Sequence, residues 1–254
     1  MTTMKPPIDR LDGPRDDRGC DFRRRGRVGL GMVAAAEVVG LAMSIGYPLL
    51  WEAVLQSGPH PRAVLDTLRM VRGVIIFATT LVAWLGLALV GRVPKVGGVA
   101  VAAVAVGVLR WVVFSSKLLL SSLGVSPGGL ASPFTIVEMA NAVLASAYSV
   151  LLVAVAHQAA DGLSGKRSRL VEITFGALIA VLLVADLASV ALFAHYPPST
   201  HGTLLDQYDV AIDVAIHVTT WLSRIARLLL IALFFQVLFT TGRKPTADPL
   251  ELGQ

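Results

Sequence analysis

Long, uninterrupted apolar runs are the feature that most constrains this sequence. Each run is about twenty residues long, which is the length that an α-helix needs to cross about 30 Å of hydrocarbon. The chain has 254 residues, of which 55% are hydrophobic and only 15% are charged. The alternating ten-residue segments of a membrane β-barrel are absent. The sequence therefore predicts an all-α, polytopic membrane protein that folds as one helical bundle.

Hydropathy divides the chain into six transmembrane helices and two polar tails. The predicted helices lie near residues 28–50, 70–90, 96–120, 134–157, 170–194 and 210–241. Residues 28–241 thus form the membrane domain, and residues 242–254 form a short C-terminal tail. Prolines are expected at the ends of these helices and not inside them. The prolines near proposed ends are Pro48, Pro94, Pro127, Pro133, Pro197 and Pro245.

The basic residues predict the orientation of the helices. Residues 1–27 contain five Asp, eight Lys or Arg and three Pro without an apolar period, which is typical of a disordered tail. With this tail in the cytoplasm, fifteen Lys or Arg lie on the cytoplasmic side, and only Arg62, Arg69 and Arg72 lie outside. The positive-inside rule therefore predicts that both termini are cytoplasmic, in an inner or plasma membrane. Because topology accounts for the net charge of +5, no nucleic-acid partner is predicted.

The last predicted helix carries a polar stripe into its membrane span. The stripe begins with acidic residues and ends with arginines, and at 100° per residue its members fall within about 80° of one another. Its members are Asp206, Asp209, Asp213, His217, Thr220, Arg224 and Arg227. Charged side chains inside a bilayer need a partner or water, so this stripe is expected to face the inside of the bundle.

Other predicted helices carry polar residues at a similar depth. With 1.5 Å per residue, Arg110, Asp186 and the two stripe arginines lie roughly 22 to 28 Å above the cytoplasmic basic residues. Glu138 and Asn141 enter the same layer from the outer side. The sequence predicts that these side chains line a pathway for a solute or an ion. The alternative is a set of closed ion pairs, in which Glu138 and Asp186 meet the arginines and hold the helices together.

Asp213 and His217 extend this layer outwards by about 15 Å. They predict a polar vestibule that opens to the external side, and the alternative is an amphipathic helix lying along the membrane surface. With His195 or His201, the same two residues are also candidate ligands for an external metal ion. That spacing is common by chance, so no metal is assigned.

Glu37 stands apart from the other charges. It lies ten residues beyond Arg27, and therefore roughly 15 Å into the membrane, where no basic residue of another helix is predicted. A carboxyl group at this depth is a candidate for proton relay. The alternative is a hydrogen bond between a protonated Glu37 and Thr79 or Thr80 of the neighbouring helix.

The sequence contains no motif of a known catalytic site. The signatures of metalloproteases, serine hydrolases and nucleotide-binding loops are absent, so an enzyme is not favoured and no cofactor is predicted. The favoured function is transport or permeation of a small polar or ionic solute. The second hypothesis is a non-catalytic structural or signalling subunit, associated with a membrane protein partner or with copies of itself. A membrane enzyme with an external metal is the third.

Overall fold

The computed structural model describes residues 17–56, 62–93, 95–123, 133–164, 169–195 and 205–242. Within these ranges, the chain forms six α-helices and no β-strand, which confirms the all-α prediction. The helices are α1 (Asp17–Gln56), α2 (Arg62–Val90), α3 (Gly97–Ser122), α4 (Pro133–Ser164), α5 (Arg169–His195) and α6 (Leu205–Gly242).

Five of these helices are long and apolar enough to cross a membrane, by length and composition. They are α1, α2, α3, α4 and α6, in which the qualifying segments have 20 to 35 residues. The described apolar part of α5 is Glu172–Ala185, which is shorter, although the helix itself has 27 residues. The chain is therefore compatible with a multi-pass membrane bundle, and a sixth crossing through α5 stays a prediction.

The helices pack in chain order around the bundle. Each helix contacts the next one along the chain, contacts between α1 and α6 close the ring, and α4 reaches across to α6. Sequential packing of this kind follows from short connections between antiparallel helices. Pairs α1–α2, α3–α4 and α5–α6 have the most extensive contacts. The structure thus consists of three helical hairpins joined side by side.

The apolar core is concentrated toward one end of the bundle, which we call the closed half. Its fully buried side chains include Leu30, Val33, Leu87, Val153 and Phe234, which come from four helices. The other end, which we call the open half, contains residues 37–56 of α1, 64–84 of α2 and 107–116 of α3. In those ranges, only Leu41, Ala83 and Gly107 are buried.

Two glycines allow α1 and α2 to approach closely in the closed half. A Cβ atom added at Gly29 would lie 2.5 Å from the carbonyl oxygen of Gly86, and one added at Gly86 would lie 2.7 Å from the carbonyl oxygen of Gly29. Both distances are too short for any side chain. Small residues at such positions let membrane helices pack backbone against backbone. Close packing is also expected from the sequence for the small residues of α3, namely Gly98, Ala102, Ala103, Ala105 and Gly107. An added Cβ at Gly98 would meet nothing within 4 Å, whereas one at Gly107 would lie 2.7 Å from Nε1 of Trp84.

Helix α1 is longer than predicted at both ends. It begins at Asp17, inside the segment that was predicted to be disordered, and acidic residues at the start of a helix are stabilised by its dipole. It also continues through Pro48, which corrects the expectation that prolines mark helix ends. A proline inside a membrane helix is tolerated where another group satisfies the carbonyl that it leaves unpaired. Here that group is an arginine, as described below.

The turn between α2 and α3 contains a strained residue. Lys95 has φ of 73°, a left-handed conformation that glycine adopts far more readily than lysine. The backbone N–H of Val96 donates to the carbonyl of Val93 at 3.1 Å and closes the turn around it. A tight turn at this point lets α3 begin at Gly97 and pack against α2.

Candidate functional site

A cavity of about 400 Å³ lies within the bundle among α1, α2, α3, α4 and α6. Each of the five helices contributes polar side chains, and the wall between them is aromatic or aliphatic. The polar residues that line the cavity are Glu37, Ser44, Arg72, Thr79, Thr80, Arg110, Asn141, Tyr148 and Arg227. The cavity thus brings together ionisable residues that lie as far apart in the sequence as α1 and α6.

The cavity contains four of the nine residues that the sequence nominated, namely Glu37, Arg110, Asn141 and Arg227. Two others are placed elsewhere. The side chain of Arg224 contacts the backbone of α1, and His217 is exposed nearer the start of α6. The side chains of Glu138, Asp186 and Asp213 lie outside the described residues, so their predicted roles stay predictions.

Glu37 has a basic neighbour, contrary to the sequence-based prediction. Its carboxylate lies 3.8 Å from Nε of Arg227, and the side chain of Glu37 is only 14% exposed. Gly40, one turn further along α1, makes room for the guanidinium, because a Cβ there would lie 3.3 Å from Nη1 of Arg227. The depths of Glu37 and Arg227 were predicted by counting residues from the cytoplasmic basic residues of α1 and α6, on the assumption that both helices are upright and that these basic residues lie in one plane. The contact excludes that assumption for α1 and α6.

The threonines near Glu37 do not donate hydrogen bonds to it. The hydroxyl of Thr79 donates to the carbonyl of Ile75 at 2.8 Å, and that of Thr80 donates to the carbonyl of Ile76 at 2.8 Å. Donation to a preceding carbonyl is the usual behaviour of a hydroxyl in a membrane helix, and a bond donated by a protonated Glu37 stays a prediction. The hydroxyl oxygens still line the cavity, where they can accept hydrogen bonds.

Arg224 satisfies the carbonyl group that Pro48 leaves unpaired. In a regular helix, the carbonyl of residue 44 would accept from the N–H of residue 48, but proline has no N–H. Nη2 of Arg224 donates to the carbonyl of Ser44 at 2.8 Å instead. The guanidinium also lies 5.0 Å from the ring centroid of Trp221. Sequence analysis missed this contact, although a proline in an apolar run signals a free carbonyl four residues earlier.

Arg110 has a different environment from the other two intramembrane arginines. It lines the cavity on α3, and in the described ranges no carboxylate lies within 4.0 Å of its guanidinium. Two further polar atoms of the cavity wall are buried without a hydrogen-bond partner there, Nε1 of Trp84 and Oδ1 of Asn141. Buried polar groups are normally paired, so these two atoms are exceptions to the usual pattern.

Gly107 shapes the wall beside Arg110. An added Cβ would lie 2.7 Å from Nε1 of Trp84 and 3.1 Å from Cε2 of Tyr148. The missing side chain therefore lets both rings approach α3 one turn before Arg110. Because the two rings come from α2 and α4, this glycine brings three helices together at the cavity.

Aromatic and basic residues meet at the end of the open half. The guanidinium of Arg72 lies 4.4 Å from the ring centroid of Tyr47, and that of Arg69 lies 5.4 Å from the ring of Trp51. The two rings stack on each other with centroids 5.9 Å apart. Tyr and Trp with basic neighbours are typical of the membrane–water interface. This end of α1 and α2 is therefore suited to the level of the lipid headgroups.

The metal-site hypothesis has no counterpart in the described residues. Among these residues, no group of three or more His, Cys, Asp or Glu side chains could hold a metal ion. Asp213, His195 and His201 lie outside the part whose side chains are described, so the external site that they would form stays a hypothesis.

Neither a family model, nor a curated protein, nor a solved structure matches this chain. The cavity and the charged residues around it are the features that bear on function.

Proposed function

We propose that this protein is a multi-pass membrane protein that transports, or allows the permeation of, a small polar or ionic solute through the cavity among α1, α2, α3, α4 and α6. The observation that supports this function is a cavity of about 400 Å³ with Glu37, Arg110 and Arg227 in its wall. Cavities of this size are large enough for a small molecule. The favoured setting is an inner or plasma membrane, with both termini in the cytoplasm.

The energetic cost of the charges supports a wet or occupied cavity. A charged side chain at the centre of a membrane helix costs about 2.5 to 3.5 kcal/mol on the insertion scale. Glu37 and Arg227 offset part of that cost by pairing with each other. Arg110 forms no ion pair within 4.0 Å with a described carboxylate, although Glu37 attracts it electrostatically, so water or a solute can solvate it further.

The arrangement of the two halves supports access from one side. Along α2, the cavity wall runs from Arg72 to Trp84, which is about 18 Å at 1.5 Å per residue. Arg72 is exposed, whereas beyond Trp84 the buried side chains of Leu87 and Val90 fill the closed half. With the predicted orientation, the entrance faces the outside and the closed half faces the cytoplasm.

A flux measurement tests the function. Proteoliposomes containing the protein would be loaded in turn with labelled chloride, rubidium, gluconate or glucose, which are two anions, a cation and a neutral solute that bilayers retain. We expect faster exchange of at least one solute than in liposomes with the R110Q/R227Q variant, and R92Q, on the exposed α2–α3 turn, serves as the control. Equal exchange with the protein and the double variant for all four solutes would exclude permeation of inorganic ions and of polyhydroxylated solutes.

Cysteine accessibility tests the wet cavity separately. Cys20 is the only native cysteine, so a C20S background allows single cysteines to be introduced. We expect an impermeant thiol reagent to label T80C, in the cavity wall, from the outside of intact cells. L87C, on the same helix in the closed half, should stay unlabelled. A cavity that water does not reach would leave T80C as unreactive as L87C.

One observation favours the second hypothesis, a structural or signalling subunit. Arg224 and Arg227 both contact α1, so part of the predicted pathway ties helices together. In a subunit of this kind, the same charges would hold the fold without admitting a solute. Labelling of T80C together with solute exchange would rule against it, because a purely structural cluster predicts neither.

A further inference from the structure

The charge inside the cavity is unbalanced. Of the ionisable groups in its wall, Arg227 is paired with Glu37, and Arg72 lies at the exposed end beside Tyr47. Arg110 is the remaining charge, and within the described ranges no carboxylate lies within 4.0 Å of it. Among the side chains that the structure describes, the inner part of the cavity therefore carries one positive charge in excess. One excess positive charge matches a monoanion better than a dianion or a cation.

The donors near Arg110 also suit an anion. A guanidinium presents several N–H donors in a planar fork, which matches the two oxygens of a carboxylate. The indole Nε1 of Trp84 is a further donor, and it is buried without a partner in the described part of the chain. Gly107 lets this indole approach α3 one turn from Arg110, because a Cβ there would lie 2.7 Å from Nε1.

Part of the wall on α2 and α3 is apolar. Trp111 and Phe114 follow Arg110 on α3, and Ile76 and Ala83 face the cavity from α2. An inorganic anion would leave these surfaces against water, whereas an organic group would cover them. Burial of such surface is favourable by the hydrophobic effect, in proportion to the apolar area removed from water.

We infer that the solute of this cavity is a small organic monocarboxylate, whose carboxylate binds Arg110 and the indole N–H of Trp84 while its apolar body packs against Trp111 and Phe114. This inference rests on the proposed function, since it names the chemical class of the solute. The carboxylate of Glu37 lines the same cavity and repels an anion, so it weakens the binding of the solute.

Binding to the purified full-length protein in nanodiscs tests the inference, with benzoate, benzamide and nitrate as probes. Benzoate and benzamide have nearly the same shape and differ in charge, and nitrate has the charge without the apolar body. Calorimetry should show benzoate binding at least tenfold more tightly than either of the others. Equal affinity for benzamide would exclude recognition of the carboxylate, and equal affinity for nitrate would exclude the apolar subsite.

Three variants separate binding from folding. R110Q should weaken benzoate binding about tenfold or more, and R110K should restore part of it because it keeps the charge but lacks the planar fork. E37Q should bind benzoate about threefold more tightly, since it removes the opposing charge. A structural role for Glu37 predicts no gain of affinity, so unchanged or weaker binding by E37Q would overturn the inference.

The binding assay and the flux assay test the monocarboxylate site and the transport function separately. If benzoate does not bind although chloride, rubidium or glucose is exchanged, the solute is not a monocarboxylate and the proposed transport function stands. If benzoate binds with the expected selectivity although no solute crosses the membrane, the site stands and transport is excluded. R92Q, remote from the cavity, is the matched control and should bind benzoate like the unmodified protein.

Discussion

The two halves of the bundle are held together by different kinds of contact. In the closed half, α1 and α2 meet backbone to backbone at Gly29 and Gly86, and the surrounding side chains are aliphatic. In the open half, α1 is joined to its neighbours by long arginine side chains from α2 and α6. Backbone contact leaves no space between helices. Contact through a long arginine side chain does not require the helix backbones to touch, and Arg72 and Arg227 both line the cavity.

The comparison suggests how one bundle combines a seal with a cavity. Glycine brings two helices close without any polar group to satisfy, so the closed half can exclude water. Arginine spans a gap, but its guanidinium then needs acceptors, and the structure supplies a carboxylate at Glu37 and a free carbonyl at Ser44. The four predictions below test this division, beginning with the largest expected effect.

The glycine contact of the closed half should be more sensitive to substitution than the arginine contacts of the open half. G29A and G86A each place a Cβ within 2.7 Å of a carbonyl oxygen on the other helix, so α1 and α2 must separate. Since overpacking typically costs 1 to 3 kcal/mol, we expect each to lower the free energy of unfolding by about 2 kcal/mol or more. Thermal unfolding in nanodiscs, followed by tryptophan fluorescence, measures the effect.

A matched control for this prediction lies two residues away. At Gly31, an added Cβ meets nothing within 4 Å, so G31A should gain about 0.5 to 1 kcal/mol from the higher helix propensity of alanine. If G29A were as stable as G31A, α1 and α2 would not be in backbone contact and the closed half would lose its distinguishing feature.

The contact between Arg224 and Ser44 should depend on Pro48. R224M removes a charge-assisted hydrogen bond to a backbone carbonyl and should lower the free energy of unfolding by about 2 kcal/mol. In P48A, the restored N–H supplies the carbonyl of Ser44 with its own helical partner. The cost of R224M should therefore be smaller in that background by about 1 kcal/mol. Equal costs in both backgrounds would mean that Arg224 does not compensate for the proline.

The ion pair between Glu37 and Arg227 should contribute less. Arg227 is 35% exposed, so the pair is partly screened, and E37Q and R227Q should each lower the free energy of unfolding by about 1 kcal/mol. The double variant E37Q/R227Q should be more stable than the sum of the two costs implies, because neither charge is left alone. A double-mutant cycle by chemical unfolding gives the coupling, and strict additivity would contradict the pairing.

The smallest effect concerns the turn that leads into α3. K95G should raise the free energy of unfolding by about 1 kcal/mol, because Lys95 has φ of 73° and glycine adopts this conformation without strain. The same thermal unfolding assay detects the gain. K95A, which shortens the side chain but keeps the strained backbone, is the control and should not be stabilised. A similar gain of stability in both variants would mean that the gain comes from removing the lysine charge and not from relieving the backbone strain.

Hydropathy predicted the helices well because apolar runs report directly on the interior of a membrane. The predicted range of 96–120 compares with α3 at Gly97–Ser122, and 134–157 compares with α4 at Pro133–Ser164. The largest error concerns α1, where polar residues before Arg27 and a proline at 48 interrupt the apolar pattern but not the helix. In addition, α2 begins eight residues earlier and α4 ends seven residues later than predicted. Hydropathy measures how favourably a side chain is transferred from water to an apolar phase. A helix continues, by contrast, wherever its backbone N–H and C=O groups find hydrogen-bond partners.

The cavity was predictable in composition but not in geometry. Arg110, Asn141 and Arg227 were nominated because charged or amide groups in apolar runs must face a protein or water. Their partners could not be assigned, since counting depth along separate helices does not include tilt or offset. Trp84 was missed because an indole N–H looks ordinary in a membrane helix, and Gly107 was expected only to let helices pack closely. Their role emerges only when α2 and α3 are placed side by side.

The contact between Arg224 and the carbonyl of Ser44 has an evolutionary consequence. In a lineage that replaced Pro48, the carbonyl of Ser44 would no longer need the hydrogen bond from the arginine. A lineage that lost the arginine would be under selection to replace the proline. Positions 48 and 224 should therefore vary together among related sequences, although 176 residues separate them in this chain.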